Sequence, residues 1–390
     1  MDHIIYADNA ATTPVDARVV EAMTPYFSQC YGNPSSIFYS VGAAAGEALA
    51  AARASVAKSL GCEPAEVFFT SCGTEADNWA IKGTAHRLAA KGKKHLITSC
   101  IEHHAVLHSM RALEKDGFSV TYLPVDSQGF VRPADVEAAI RPDTALVSIM
   151  FANNEIGTVE PVQEIAAVCR RRGVWFHTDA VQAAGALPIH FKDMGFDMLS
   201  LSAHKFNGPK GVGALLVRRG VLPDIFMDGG GQERGRRAGT ENVAGIVGLA
   251  KALELAVASL PQKAEKLAAL RDAVQRHVQT MPHVHINGPA DPARRLPGLL
   301  NVSFEGAESE SILLFLDMAG ICASSGSACA SGSLDPSHVL LSIGLSHAVA
   351  NCSLRLSFGV QNTPEDAQAI CRALTDSVAE VRRRSAIYSE

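Results

Sequence analysis

No two cysteines stand at CxxC spacing in this 390-residue chain, no apolar run approaches the length of a bilayer, and basic charge is not in excess. Each absence closes a class of function. Nine cysteines, an odd number at scattered spacing, do not make a secreted disulfide scaffold, so free thiols in a reducing compartment are expected. The opening MDHIIYADNA has neither a basic n-region nor an apolar h-region, which makes a cytoplasmic chain the expectation. The longest apolar stretches fall well short of the roughly 20 residues that cross a membrane, so no membrane role is expected. Thirty-five Lys and Arg against 40 Asp and Glu leave a net charge of −5, and no electrostatic case for a nucleic-acid partner follows. No window is low enough in hydrophobicity to read as disordered, and no internal repeat is present.

What remains has the composition of an ordinary globular enzyme, 47% hydrophobic and 19% charged. At roughly 100–200 residues per domain, the length suggests two or three domains. From about residue 60, short apolar or β-branched runs alternate with helical patterns. The runs are VFFT at 67–70, HLITS at 95–99, SVTYLPV at 119–125, ALVSIMF at 145–151, VWFHTD at 174–179, DMLSLS at 197–202 and GALLVRR at 213–219. Helical patterns fall at 40–60, 76–91, 161–172 and 242–280, the last broken by Pro261. Strands alternating with helices imply crossover connections and a mostly parallel sheet with helices on both faces, the α/β class. Beyond Pro261, the strands LLNVSF at 299–304 and SLRLSF at 353–358 and a closing helix from about 364 read as a smaller α+β unit, joined by the first dozen residues. The expected division is a large domain over 14–260 and a small one made of 1–13 and 261–390.

Ligands of an open α/β sheet bind beyond the carboxyl ends of its strands. There the chain places Ser71, Cys72, Gly73, Thr74 and Glu75 after VFFT, and Glu102, His103 and His104 after HLITS. Asn153, Asn154 and Glu155 follow ALVSIMF; Asp179 and then Gln182 follow VWFHT. Gly73 and Thr74 open a helix, where free N–H groups and the helix dipole suit an anion such as phosphate; simple capping by Thr74, with Asp77 three residues on, explains the segment equally well. Taken singly, an aspartate at a strand end is more often a helix cap and an Asn pair more often a turn. Adjacent His103 and His104 have no ligand triad at metal spacing, so no intrinsic metal is expected. DMLSLS ends at Ser202 and runs into His204 and Lys205, a lysine at the mouth of a buried sheet, an environment in which it loses its proton and forms an imine. A reactive lysine, an anion cup and an acidic strand end are together what pyridoxal phosphate requires.

Cys329 lies in SSGSACASGS at 324–333, where nine of ten residues are Ser, Gly or Ala and the tenth is the thiol. Free cysteine is usually a small buried hydrophobe. Here no apolar side chains flank the sulfur for several residues, and a glycine-rich hinge suits a nucleophile that must move.

Further marks are YADNAATTPVD at 6–16, GNPSS at 32–36, FTSCGTEADN at 69–78, EHHAV at 102–106, ANNEIGT at 152–158 and HTDAVQ at 177–182. SAHKFNGPKGVG at 202–213, GGGQERGRRAGTEN at 229–242 and SSGSACASGSLDPSHVL at 324–340 complete the series. In this order and over nearly the whole chain they resemble the cysteine desulfurases of the NifS/IscS type, fold-type I pyridoxal phosphate enzymes related to class V aminotransferases. The resemblance implies that Lys205 is the Schiff-base lysine, that Asp179 pairs with the pyridine nitrogen, and that Gln182 and Asn154 contact the phenolic oxygen and its surroundings. It implies that His103 stacks on the ring and moves protons, and that Gly73, Thr74, Ser202 and His204 hold the phosphate with Thr240 of a partner subunit, which makes the enzyme a homodimer. Arg355 alternates with Leu354 and Leu356, and the resemblance implies that it receives the substrate carboxylate near Asn154.

The implied reaction takes sulfur from L-cysteine, releases L-alanine and leaves a persulfide on Cys329, its ionised fraction raised by a proton acceptor such as His103. The persulfide passes to an iron–sulfur scaffold protein or another acceptor for cluster assembly, and a transient cluster contact through it is the one metal contact the resemblance allows. RRAGTEN and the short tail after Arg355 are closer to the nitrogen-fixation NifS group than to the housekeeping IscS group. Phe38 and Tyr39 stand where the family often has a histidine after NPSS. Two other readings compete: a different pyridoxal phosphate reaction in which Cys329 is dispensable, and a sulfur carrier with no cofactor of its own.

Overall fold

The computed structural model describes residues 4–325 and 336–384. Seven strands form the main sheet: β2 (Val67–Thr70), β3 (His95–Ser99), β4 (Ser119–Leu123), β5 (Thr144–Ser148), β6 (Trp175–Asp179), β7 (Met198–Ser202) and β8 (Gly213–Val217). Their order across the sheet is β2-β8-β7-β6-β5-β3-β4, with β8 antiparallel to both neighbours and every other pairing parallel. The apolar runs are continuous because both faces are covered. Leu96, Leu146, Met198 and Leu215 pack with Trp79, Ile81, Val106 and Met110 in one core. Their sequence neighbours Ile97, Val147, Leu199 and Leu216 join Val56, Leu60, Ile165 and Leu249 in another. Successive side chains of a strand point to opposite faces, so a strand between two helical layers needs apolar residues at every position.

The strand expected over 145–151 ends at Ser148. Ile149 and Phe151 still donate to His177 O and Asp179 O, at 3.2 and 2.8 Å, so the run continues alongside β6 beyond its last paired residue. The helical pattern over 242–280 becomes two helices, Val243–Ala258 and Leu260–Val278, bent by 74°. The break falls at Ser259, and Pro261 takes the first turn of the second helix, where its missing N–H costs nothing. Helices over His104–Lys115 and Ser309–Met318 were not among the expected patterns. No single described helix is long and apolar enough to cross a membrane.

A second antiparallel sheet has the order β12-β13-β10-β9, with β9 at Val284–Asn287, β10 at Leu299–Phe304, β12 at Ser324–Ser325 and β13 at Ser353–Ser357. Leu300, Val302, Phe304, Leu354 and Leu356 pack against Leu270 and Val274 of Leu260–Val278 and against Ile370 and Leu374 of Pro364–Arg384. Ile5 and Ala7 belong to this core as well, and the short strand β1 (Ile5–Tyr6) pairs in parallel with β11 (Ile321–Cys322). Residues 7–13 then run from this core toward the carboxyl ends of the main strands: Ala7 O accepts Ser357 N at 2.7 Å, and Thr13 N donates to His204 O at 2.9 Å.

The segment around 229–242 is fixed to the main sheet by a buried ion pair. Arg53, on the helix Ser40–Leu60, makes a two-pronged contact with Glu233 at 2.7 and 2.9 Å, and Glu233 also accepts Phe69 N at 3.0 Å. Glu233 and Arg234 hold φ of 43° and 60°, left-handed backbone that a non-glycine residue adopts only when its surroundings enforce it. Arg53→Ala leaves Glu233, whose side chain is 3% exposed, without its cation. A loss of about 3–5 kcal/mol is expected in denaturant unfolding, together with faster proteolysis near Glu233; a change within ~1 kcal/mol would show that the pair does not hold the segment.

Candidate active site

A cavity of about 300 Å³ lies at the carboxyl ends of the parallel strands, where the two cores face each other. Ten of the residues that the resemblance assigns to cofactor or substrate line it. Gly73 and Thr74 come from the turn after β2, His103 from that after β3 and Asn154 from that after β5. Asp179 ends β6 and Gln182 follows it, Ser202, His204 and Lys205 come from the end of β7, and Arg355 arrives from β13 of the other sheet. Thr240 does not reach the cavity of its own chain; it borders a separate hollow beside Ser71, Glu233 and Arg237. Cys329 lies outside the described residues.

Lys205 closes a short turn, Ala203–Lys205, directly after β7. Its Nζ donates to Ala10 O and Ala11 O at 2.6 and 2.8 Å. The same N-terminal segment fixes the turn, since Thr13 Oγ1 donates to His204 O at 2.9 Å and accepts Asn207 N at 2.8 Å. Gln182 Nε2 adds a third contact, to Ala10 O at 3.0 Å. Burial and the neighbouring Lys205 and Lys210 hold His204 down to about 4, so it is a neutral wall residue.

Asp179 ends β6 with its side chain 6% exposed, and its Oδ1 accepts Val181 N at 2.9 Å. Burial raises its carboxyl to about 6, against the opposing pull of that N–H and of Lys205. Gly73 begins the 17-residue helix Gly73–Ala89, whose first N–H groups have no partner within the helix. A Cβ at this position would stand 2.6 Å from Val181 Cγ2, so only glycine lets the helix start approach the turn after β6. Glu75, one turn behind, is drawn below the usual carboxylate range despite its burial because Arg237 and Ser71 bind it. That ion pair ties the segment bearing Thr240 to the helix start.

The Asn pair divides its work. Asn153 is fully buried and structural: its Nδ2 donates to Ile101 O at 3.0 Å and its Oδ1 accepts Glu155 N and Ile156 N at 2.8 and 3.0 Å. Asn154 is thereby turned to the cavity. Glu102 is structural too, with Ser99 Oγ at 2.6 Å and Met150 N at 3.0 Å on its carboxyl, which burial pushes up to about 8. Arg355 is 2% exposed; its Nη1 donates to Asn154 O at 3.0 Å and its Nη2 to Asp8 Oδ1 at 2.8 Å.

Sequence reasoning missed the carbonyls of Ala10 and Ala11, and Asp8 beside Arg355. The signal was present in YADNAATTPVD, which was noted as a mark without a role. It also gave Cys72 no role and Asp77 only a part in helix capping, though both border the cavity. Among the described residues, no group of three or more His, Cys, Asp or Glu stands where it could hold a metal ion.

The family model for class-V aminotransferases matches residues 5–370. Over 391 aligned residues the chain is 53% identical to a cysteine desulfurase IscS of Clostridium botulinum, across all of this chain and 98% of that protein. A cysteine desulfurase IscS of Methanosarcina thermophila is 52% identical, across 98% of this chain and 93% of that one. Among solved structures, a NifS-like protein superposes with a TM-score of 0.91 at 39% identity, over 97% of this chain and all of that chain. SspA in complex with cysteine superposes at 0.80 with 39% identity, over 91% of this chain and 98% of that one. The names span both groups that the segment RRAGTEN set apart. With a family match over nearly its full length and relatives more than half identical to it, the chain belongs to the class-V aminotransferase family, among its cysteine desulfurases of the NifS/IscS type.

Proposed function

We propose that this protein is a homodimeric, pyridoxal phosphate-dependent desulfurase that takes sulfur from L-cysteine, releases L-alanine and holds the sulfur as a persulfide on Cys329 for iron–sulfur cluster assembly. The observation that carries the reading is one cavity in which a lysine, a buried carboxylate, an open helix N-terminus and a buried arginine converge. The residues fit the cofactor. Gly73 and Thr74 bring the free N–H groups of a helix start to the cavity, a donor set suited to a phosphate, and Asp179 lies deep enough to serve a ring nitrogen. Lys205 would hold the aldehyde, Asp179 the pyridine nitrogen, Gln182 and Asn154 the phenolic side, and Gly73, Thr74, Ser202 and His204 the phosphate, with Thr240 of the partner subunit. When bound, pyridoxal phosphate supplies an electron sink that loosens the bonds around the substrate α-carbon.

Arg355 orients the substrate by its carboxylate; a guanidinium already aligned by Asp8 and Asn154 O loses little freedom in doing so. At Cys329 the carbon–sulfur bond of the substrate breaks, a sulfur–sulfur bond forms and alanine leaves. His103 is the proton carrier. Its Nδ1 accepts Ala105 N at 3.1 Å, and burial followed by the Lys205 charge lowers it to about 4. Any step that neutralises Lys205 removes the second of these causes and makes His103 a better base. That coupling suits a group that takes a proton only after substrate has engaged the lysine.

Several observations support the dimer. Tyr31, Ile37 and Phe38 are 70%, 71% and 95% exposed, as are Phe27, Ile225 and Met227 to a lesser degree, and Met227 bridges to Arg237 near Thr240. Large apolar side chains of this kind are what a partner subunit would cover. Separate cores and the 74° bend at Ser259 support two units divided near residue 260. The eight described cysteines are all free, which supports a reducing, cytoplasmic setting.

Cys329→Ser is expected to abolish persulfide formation and to lower alanine release by about 100-fold or more; turnover equal to wild type would overturn the desulfurase reading. Lys205→Ala should lose the visible absorption band of the bound cofactor, and a band that survives would remove Lys205 as anchor. His103→Ala should slow single-turnover persulfide formation by roughly 100- to 10,000-fold, and an unchanged rate would take His103 out of the mechanism. The His103 value is depressed from 6.5, so the folded state binds fewer protons than the unfolded state between about 6.5 and 4. The stability His103 contributes is complete above that window and lost as pH falls through it. Urea unfolding of the apoprotein should therefore show a smaller acid loss in His103→Gln than in wild type.

A further inference from the structure

Asp77 lies one turn into Gly73–Ala89, is 1% exposed, and borders the same cavity as Asp179. Its Oδ1 has no hydrogen-bond partner. His177 Nε2 is 3.6 Å away but is no counter-ion: that ring is fully buried, and its nitrogens meet the hydroxyls of Ser148 and Ser200 at 2.8 and 2.9 Å. Burial lowers His177 to about 3, so it stays neutral. The other groups bearing on Asp77 are Asp179 from β6, Glu102 from the turn after β3 and Cys72 from the helix start, all of which oppose a negative charge. The Ser200 hydroxyl on β7 favours one, but burial is the largest influence and the Asp77 carboxyl is pushed well above the usual range. Asp179 is placed differently, with the Val181 N–H on one oxygen and the Lys205 charge in reach. Two carboxyls in one dry pocket do not both ionise, and their partners decide which one does.

We propose that Asp77 is a positioning residue that keeps its proton, so that Asp179 alone carries the negative charge offered to the ring nitrogen of pyridoxal phosphate. The inference rests on the cofactor reading above. A carboxylate at Asp77 would force a proton onto Asp179 and remove the charge that faces the ring. As a neutral acid, Asp77 gives the cavity it shares with Asp179 a polar group that adds no charge of its own.

The first test uses the apoprotein and needs no turnover. In infrared difference spectra at neutral pH, Asp77→Asn is expected to remove one protonated-carboxyl carbonyl band and no carboxylate band. Loss of a carboxylate band in that variant would overturn the proposal. The second test measures dissociation of pyridoxal phosphate by its visible absorption. Asp77→Leu should weaken binding about tenfold, the loss of one buried polar contact, with Asp77→Asn recovering most of it. Asp179→Asn, which strips the ring nitrogen of its counter-charge, should weaken it roughly 100-fold. Binding in Asp77→Asn as weak as in Asp179→Asn, or in Asp77→Leu as tight as in wild type, would overturn the role. Should wild type bind no pyridoxal phosphate, the cofactor reading and the role both fall, while the infrared result still reports where the proton resides.

Discussion

The Lys205 ammonium is gripped by two backbone carbonyls, those of Ala10 and Ala11, and through them it joins the two cores of the molecule. The segment that supplies these carbonyls begins in the small core at Ile5 and Ala7, passes Asp8 to Arg355, and ends with Thr13 on the backbone of His204. One extended strap of chain thus sets the position of a cation from each side of the cavity. The carbonyls are not side chains, so no single substitution deletes them; only a shift of the strap does. The small sheet in turn delivers Arg355 because Leu354 and Leu356 are committed to its core, and alternation leaves the residue between them facing the cavity.

Outside the cavity lining lie further carboxyls whose charge burial disfavours. Glu102 and Glu155 are pushed up to about 8 and about 7, both chiefly by burial, whereas Asp179, raised by burial only to about 6, keeps its charge with the help of the Val181 N–H and Lys205. Were Glu102 and Glu155 fully ionised, they would weaken the field of Lys205 and Arg355. Held neutral, they act as hydrogen-bonding scaffold, Glu155 with Ser337 and Glu102 with Ser99 and Met150. In surroundings of low dielectric the remaining positive charges then act strongly on an anion that enters. A phosphate and an amino-acid carboxylate are two such anions.

The strands could be read from sequence because burial on both faces writes itself as unbroken apolar runs, and β10 and β3 begin and end where those runs do. The polar residues at their carboxyl ends were legible for the same reason, since topology sends them all to one edge. Two kinds of information were not. Contacts made by backbone atoms, such as those of Ala10 and Ala11, leave no trace in side-chain chemistry. A choice between adjacent like residues also stays hidden: Asn153 and Asn154 are equivalent on paper, and only the tight turn that consumes Asn153 turns its neighbour outward. Thr240 had to be assigned by resemblance, because within one chain it faces a different hollow.

Gly73, Val181 and Asp179 form a chain of contacts. The missing Cβ admits Val181, and the Val181 N–H holds the Asp179 carboxylate. The open helix end and the buried acid are therefore the two jaws of a fixed calliper. Their separation is set by hard van der Waals contact, and neither jaw moves without the other. A molecule that satisfies both must carry its anion and its basic nitrogen at that one span, so length acts as a filter before any chemistry begins.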